Sequence, residues 1–448
     1  MTHGTDAEIQ RTATETKGSD DETIGTDLVV IGGGLAGAMA AAGATSRGAE
    51  VTVVRGGESS LRSATGCIDL LGFESAAGPP VSHPIEAISS MVEAHPYRRL
   101  GQGRIREGLA FFDEMTEDRY AGGRTGANAL FPTQLGTVKP TSRYPTSFAP
   151  GSLSRPGDML LCSIQEIPGF DASFAAQQLR TYDVPFDVRG VSMSLGAAFA
   201  VENPGLRIGR ALDRNERLRE DVPIRDRLAR EVSKRIDDEE RVGFPPILGR
   251  DSTDEVREDL TDILGVPVFE IPGTPPSLPG IRLSAHLDRT LREAGVVVRE
   301  GTTIHSFEEN DGRVTGLRTE GGDRSVRLEA SEYVLATGGL VGGGINPIDG
   351  AVEEPIFDLP VRLPESSEQS MPGKLADHDP LGPHEFARLG LEIDSELRPL
   401  HGRSPRFSNL RAAGAVLGGF DPTVEHSGSG VAITTGYWAG RLAAGGES

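Results

Sequence analysis

LVVIGGGLAG, residues 28–37, decides the fold of this chain. Leu28-Val29-Val30-Ile31 is an apolar run without polar alternation. Such a run describes a strand buried on both faces, as in a parallel sheet. The glycines that follow fall as Gly32-x-Gly34-x-x-Gly37. The first makes a tight turn, the second lets a phosphate or pyrophosphate approach the backbone, and the third lets the helix pack on the strand. The helix N-terminus then faces an anion with free N–H groups and a favourable dipole. Small residues from Leu35 to Arg47 predict that helix, Gly48 its left-handed end, and Val51-Thr52-Val53-Val54 a second strand. The unit is βαβ.

One part of the dinucleotide pattern is missing. A carboxylate normally ends the second strand and bonds the adenosine ribose. Here Val54 is followed by Arg55, and the nearest acid is Glu58. Arg55 is read either as a cation for a phosphate (the 2′-phosphate of NADP or the terminal phosphate of FMN) or as a solvated loop residue. Two further segments favour a flavin over a nicotinamide. The loop from Ser59 to Gly66 offers small hydroxyl residues, Ser63 and Thr65 among them, and a glycine beside the cofactor. Ala336-Thr337-Gly338-Gly339 ends a late strand where two glycines permit close approach.

Outward from these segments the chain divides into four. Residues 1–24 are polar without periodicity and are expected to be a disordered tail. Residues 25–75, 280–345 and 405–446 are expected to form the flavin-binding domain. Residues 76–279 are expected to be a separate α+β cap or substrate domain, and 346–404 a loop-rich insertion. Within the cap, 120–160 is irregular and rich in Gly, Pro, Thr and Ser, which marks a functional loop region. The stretch 206–238 reads as charged helix with Leu228, Val232 and Ile236 buried, and Ser252 with Glu255 reads as a capping box. The fold class is therefore α/β, a Rossmann-like flavoprotein domain split by a cap.

Composition excludes several functions. The chain has 448 residues, 66 acidic and 45 basic, for a net charge of −21. A surface this acidic does not attract nucleic acid. Cys67 and Cys162 are the only cysteines, so no iron–sulfur cluster or Cys-type zinc site is expected within the chain. Lys17, Lys139, Lys234 and Lys374 are the only lysines; the other basic residues are arginine. Excess carboxylate with so little lysine points to a salt-crowded cytoplasm, where self-repulsion is screened. A GC-rich genome is the plainer source of the arginine. The N-terminus lacks the basic and apolar regions of a signal peptide. A cytoplasmic chain, held at a membrane only through a partner, is expected.

The resemblance that emerges lies in RGGESSLRSATGCIDLLG (55–72), LFPTQLGTVKPT (130–141), GFPPILG (243–249), FEIPGTPPSLPGIRL (269–283) and NLRAAGAVLGG (409–419). Together with Leu28–Gly37 and Val334–Gly339, these resemble the B-subunit family of anaerobic glycerol-3-phosphate dehydrogenases. More broadly the chain resembles fumarate reductase and succinate dehydrogenase flavoproteins. The resemblance implies FMN, with FAD the alternative. It implies two partners: the dehydrogenase A subunit, and an iron–sulfur C subunit that docks the pair at the membrane. It also implies oxidation of sn-glycerol 3-phosphate to glycerone phosphate with electrons passed to quinone.

The candidate cofactor residues are Gly32, Gly34, Gly37, Arg55, Ser63, Thr65, Gly66, Thr337, Gly338, Gly339, Gly414 and Gly430. Oxidising a secondary alcohol needs a base for the hydroxyl proton, and His401 and His426 flank the C-terminal cofactor segment. Lys139, rare in kind and set among Thr137, Thr141 and Arg143, is the candidate phosphate contact. Arg403, Arg406 and Arg411 either bind an anion or pair with carboxylates. No base is unambiguous, so a non-catalytic partner that shapes the dehydrogenase or relays electrons is a second reading. An NADP-dependent reductase, resting on Arg55, is a third.

Overall fold

The computed structural model describes residues 22–123, 126–218, 221–320, 326–348, 351–363, 375–379 and 382–445. Strand β1 (Glu22–Ile31) lies in a seven-stranded sheet between β2 (Val51–Arg55) and the Val326–Leu335 strand, parallel to both. Val297–Glu300 extends the sheet beyond β2, also parallel. On the other side, Val326–Leu335 is long enough to serve two neighbours. Its first half pairs antiparallel with Arg313–Glu320, and its last residues pair parallel with Leu410–Ala412. Ile31 is in register with both Val54 and Leu335. Gly32, Arg55 and Ala336 therefore emerge side by side at one end of the sheet.

Helix α1 (Leu35–Thr45) follows β1 and is buried over nearly its whole length. Its sequence, LAGAMAAAGAT, has no polar face because two layers cover it. The C-terminal helix, Gly428–Ala443, lies against it through glycine. A side chain at Gly440 would sit 1.9 Å from the Ala40 carbonyl oxygen, and one at Gly436 would sit 2.3 Å from that of Ala36. Only hydrogen at those positions lets the two backbones approach so closely.

The middle of the chain builds a second sheet that the sequence reading does not contain. Val268–Glu270, Arg241–Phe244, Met159–Ile164 and Val188–Met193 lie in that order, all parallel. The cap is thus parallel α/β in its core rather than α+β. Its helices include Ala172–Leu179, between the Met159–Ile164 and Val188–Met193 strands, and, in place of one run over 206–238, the separate helices Pro204–Asp213 and Ile224–Ser233. Ser252 makes no side-chain cap, and Glu255 instead receives Arg225, so the capping box does not form.

The expected boundaries also shift. Residues 22–24 belong to β1 rather than to a tail, and residues 1–21 lie outside the described residues. Pro96–Thr116 packs into the flavin-side core through Tyr97, Leu100, Ile105, Leu109 and Phe112. Phe357, Leu359, Leu391, Ile393 and Leu397, placed by the sequence in a loop-rich insertion, join the same core.

The two regions are joined through a buried carboxylate. Glu270, fully buried at the end of a cap strand, accepts from Arg282 of the Leu278–Glu293 helix at 2.6 and 2.9 Å. It also accepts from Ser147 Oγ at 2.9 Å and the Leu248 N–H at 2.8 Å.

Candidate functional site

The glycine loop divides its labour. Gly32 has φ +114°, and a side chain on it would strike the Ala336 carbonyl at 2.2 Å; one on Gly37 would strike the Gly32 carbonyl at 1.9 Å. These two glycines are required by the protein's own packing. A side chain on Gly34 would meet nothing within 4 Å. Gly34 is the N-cap of α1, no side chain caps that end, and no acid lies in the first turn. The free N–H groups and positive helix end therefore open onto space. A flavin phosphate fits this cradle. Thr337 Oγ1, buried without a hydrogen-bond partner among the described residues, adds an unspent polar atom beside it. Gly338 has φ +85°, and Gly339 lies against the Ala415 carbonyl.

Arg55 is not a free cation. Its guanidinium donates to Asp288 at 2.9 Å and to Glu300 at 2.6 Å, with only 13% of its side chain exposed. Burial works against its charge, but the two carboxylates outweigh that and raise its pKa. Asp288 and Glu300 both engage its guanidinium, so its charge is already paired within the protein. The phosphate-binding reading of Arg55 fails on that ground, and with it the ground for NADP. Arg55 does lie against the glycine loop, since its Cδ is 2.6 Å from where a Gly33 side chain would begin.

Beyond β2, Ser63 is exposed in a short helical turn, and Thr65 Oγ1 accepts from the Cys67 N–H. Gly66, at φ +81°, is wedged against Pro279 and Pro145, and its carbonyl accepts from Tyr120 Oη at 2.7 Å. Two of the later glycines do not offer the approach expected of them. The side-chain direction of Gly430 is filled by Tyr97 Oη at 2.3 Å, and that of Gly414 by Ala36 Cβ at 2.6 Å. Both serve helix packing.

The same segment then carries Asp69 to Lys139 and His426, which the sequence separates by 70 and 357 residues. Lys139 Nζ donates to Asp69 Oδ2 at 2.5 Å, with 12% and 14% of the two side chains exposed. Burial opposes the Lys139 ammonium, yet Asp69 beside it raises its pKa, so the pair is ionic. His426 stacks edge-on against Phe73 at 5.0 Å between ring centres, with Pro140 and Gly72 at its base. Burial, then the charge of Lys139, lowers its pKa below the usual histidine value, with Asp69 opposing. His426 is therefore a neutral imidazole at neutral pH. Its Nδ1 and Asp69 Oδ1 are both buried without a partner among the described residues.

The cluster is held from behind. His426 sits in the left-handed conformation after Glu425, whose carbonyl takes the N–H groups of Gly72 and Phe73. The Glu425 carboxylate takes His95 Nε2 at 3.1 Å and Ser427 Oγ at 2.9 Å. His95 Nδ1 accepts from the Tyr97 N–H, so His95 is the donor toward Glu425.

The other candidates fall elsewhere. His401 is exposed in a two-residue hairpin strand with Ser404 and makes no bond to the cluster. Arg406 and Arg411 pair with Glu309 and Glu332. Cys67 is buried, and burial pushes its thiol up to about 12, so it stays protonated. Asp69 escapes sequence reasoning. In a chain with 66 acidic residues one more carboxylate carries no signal.

Among the described residues no group of His, Cys, Asp and Glu is arranged to hold a metal ion, and no helix is long and apolar enough to cross a membrane. Residues 27–431 match the FAD binding domain family. The chain is 44% identical over 425 residues to a probable B subunit of anaerobic glycerol-3-phosphate dehydrogenase from Halobacterium salinarum, covering 94% of this chain and 98% of that protein. It is 30% identical over 430 residues to the B subunit of anaerobic glycerol-3-phosphate dehydrogenase from Yersinia pestis, covering 91% and 96%. Among solved structures, a 3-ketosteroid Δ1-dehydrogenase of Sterolibacterium denitrificans aligns at TM-score 0.45 and 12% identity, over 94% of this chain and 99% of that one.

Proposed function

The chain belongs to the FAD binding domain family and to the B-subunit family of anaerobic glycerol-3-phosphate dehydrogenases, and from that premise we propose that it is a flavin-bearing subunit oxidising sn-glycerol 3-phosphate to glycerone phosphate. The observation that supports this most is that residues 55–72 run unbroken from the phosphate cradle to a partly buried Asp69–Lys139–His426 cluster. Gly34 and the N-terminus of α1 would hold the phosphate of a flavin, with Thr65, Thr337 and Gly338 as the further residues proposed to line it. The flavin supplies the acceptor for a hydride from the carbinol carbon. His426, neutral and poorly solvated, takes the hydroxyl proton.

The flavin proposed is FMN. Arg55, cross-linked to Asp288 and Glu300, stands where a dinucleotide fold normally presents an open carboxylate to the adenosine ribose. FAD is the alternative. Release on denaturation and chromatography of the flavin decides between them.

Electrons then leave this chain for quinone. The B-subunit family to which the chain belongs is the support for assigning the relay to an iron–sulfur C subunit, which also docks the assembly at the membrane. The A subunit is the dehydrogenase partner. A second reading, a non-catalytic or electron-relay role, draws on the neutralisation of Lys139 by Asp69, which leaves the cluster no spare cation for a phosphate dianion. Anaerobic addition of glycerol 3-phosphate separates the two. Bleaching of this chain's flavin, by itself or with its dehydrogenase partner, that is lost in His426→Ala supports the dehydrogenase role. Bleaching only with the partner present, unchanged in His426→Ala, supports the relay.

A further inference from the structure

The Asp69–Lys139 pair is unusual in what it leaves unused. Asp69 spends Oδ2 on the ammonium, while Oδ1 is buried with no hydrogen-bond partner among the described residues. Lys139 carries three N–H donors, and Asp69 is its single hydrogen-bond partner there. The Asp69 main chain is held in place. Its N–H donates to Ser429 Oγ at 2.7 Å, and its carbonyl takes the Gly430 N–H at 3.0 Å. An acceptor and unspent donors thus lie side by side, with no net charge between them.

That combination rejects an anion, because the carboxylate repels it, and suits a neutral group that both donates and accepts. A hydroxyl is such a group: its hydrogen goes to Asp69 Oδ1 and its oxygen accepts from Lys139 Nζ. Resting on the dehydrogenase reading above, we propose that Asp69 and Lys139 form a hydroxyl receptor, selecting polyol phosphates with a free hydroxyl next to the carbinol that is oxidised. Lys139 is then a specificity residue rather than a phosphate contact, and the phosphate is bound elsewhere.

The test compares glycerol 3-phosphate with propane-1,2-diol 1-phosphate, which keeps the carbinol and the phosphate but lacks the terminal hydroxyl. Each is titrated anaerobically into the flavin-loaded chain together with its dehydrogenase partner, reading flavin absorbance. The wild-type chain is expected to favour glycerol 3-phosphate by about 100-fold, since a buried receptor left unpaired penalises the deoxy ligand. Asp69→Asn is expected to reduce that preference below about 10-fold with flavin content unchanged. Equal response of the wild-type chain to both ligands overturns the inference and leaves the dehydrogenase reading standing; this arm needs no variant. Retention of the full preference by Asp69→Asn also overturns it, because the carboxylate would then take no part in choosing between the two ligands. No response to either ligand defeats the dehydrogenase reading itself.

Discussion

The molecule contains two strand–loop–helix units of the same plan with opposite chemistry at the turn. In the flavin-side sheet β1 runs into α1 through Gly34, whose N-cap position is bare. In the cap sheet, the Met159–Ile164 strand runs into the Ala172–Leu179 helix through Asp171. That side chain accepts from the Ser173 and Phe174 N–H groups at 2.9 and 3.1 Å. One helix end is left free for an outside anion, and the other is satisfied by the chain's own carboxylate. Parallel topology alone therefore does not make a phosphate site. The residue at the cap position decides it.

The comparison is broken most directly at Gly34. Gly34→Val should lower flavin affinity by more than about 100-fold, because the side chain fills the approach of the phosphate. Gly34→Asp should do the same while capping α1 as Asp171 caps its own helix. Measured as flavin retained after gel filtration, full retention in either variant would refute the cradle.

The joint between the two sheets comes next. Glu270→Ala leaves Arg282 poorly solvated without its partner and should destabilise the chain by about 3 kcal/mol, read from denaturant unfolding. A change below about 1 kcal/mol would mean that the carboxylate is dispensable to the joint. In the cap, Asp171→Ala should cost only about 1 kcal/mol and leave flavin content unchanged. Loss of flavin there would erase the distinction between the two helix ends.

Acid should separate the regions by order. His426 has its pKa depressed below 6.5, so the unfolded chain binds the extra proton first. Its contribution to stability is present above pH 6.5 and is lost as pH falls through the lower folded value. In the cap, burial works against the Glu166 carboxylate, but bonds from Ser194, Gly196 and Leu195 lower its pKa below 4.5. That contribution is present above pH 4.5 and is lost only on further acidification. Trp438, the single tryptophan, reports on the flavin side. Its fluorescence should change at a higher pH than the overall helix signal, and coincident transitions would count against the ordering. The smallest expected effect is that of salt. Screening of a −21 charge should raise the melting temperature between dilute buffer and molar KCl, and a flat or falling temperature would oppose it.

How far the sequence reveals this depends on whether a signal is local. Leu28–Val54 is legible because an unalternating strand, three spaced glycines and a second strand lie within 27 consecutive residues. The cap sheet is not. Arg241–Phe244 begins with an arginine that turns out fully buried, held by the carbonyls of Pro150, Ser152 and Arg155, and Val268–Glu270 ends in a buried acid. Charged residues in short strands read as surface. Arg55 misleads for a related reason. Its partners, Asp288 and Glu300, are 233 and 245 residues away, and no local pattern announces them. Lys139 stands out because lysine is rare here, and His426 because it flanks a glycine-rich turn. What brings them together is a pair of distant segments that only the fold aligns.

The bond from the Asp69 N–H to Ser429 Oγ spans 360 residues. At about 5–20 residues per second of synthesis, roughly 20–70 s separate the emergence of its two ends. For that interval the nascent chain holds Asp69, and after 70 further residues Lys139, without the turn that fixes them, and α1 lacks the glycine-lined helix that covers it. Assembly of the site therefore waits until residue 429 has emerged. A chaperone that shields α1 until residue 443 has emerged would have a defined window in which to act.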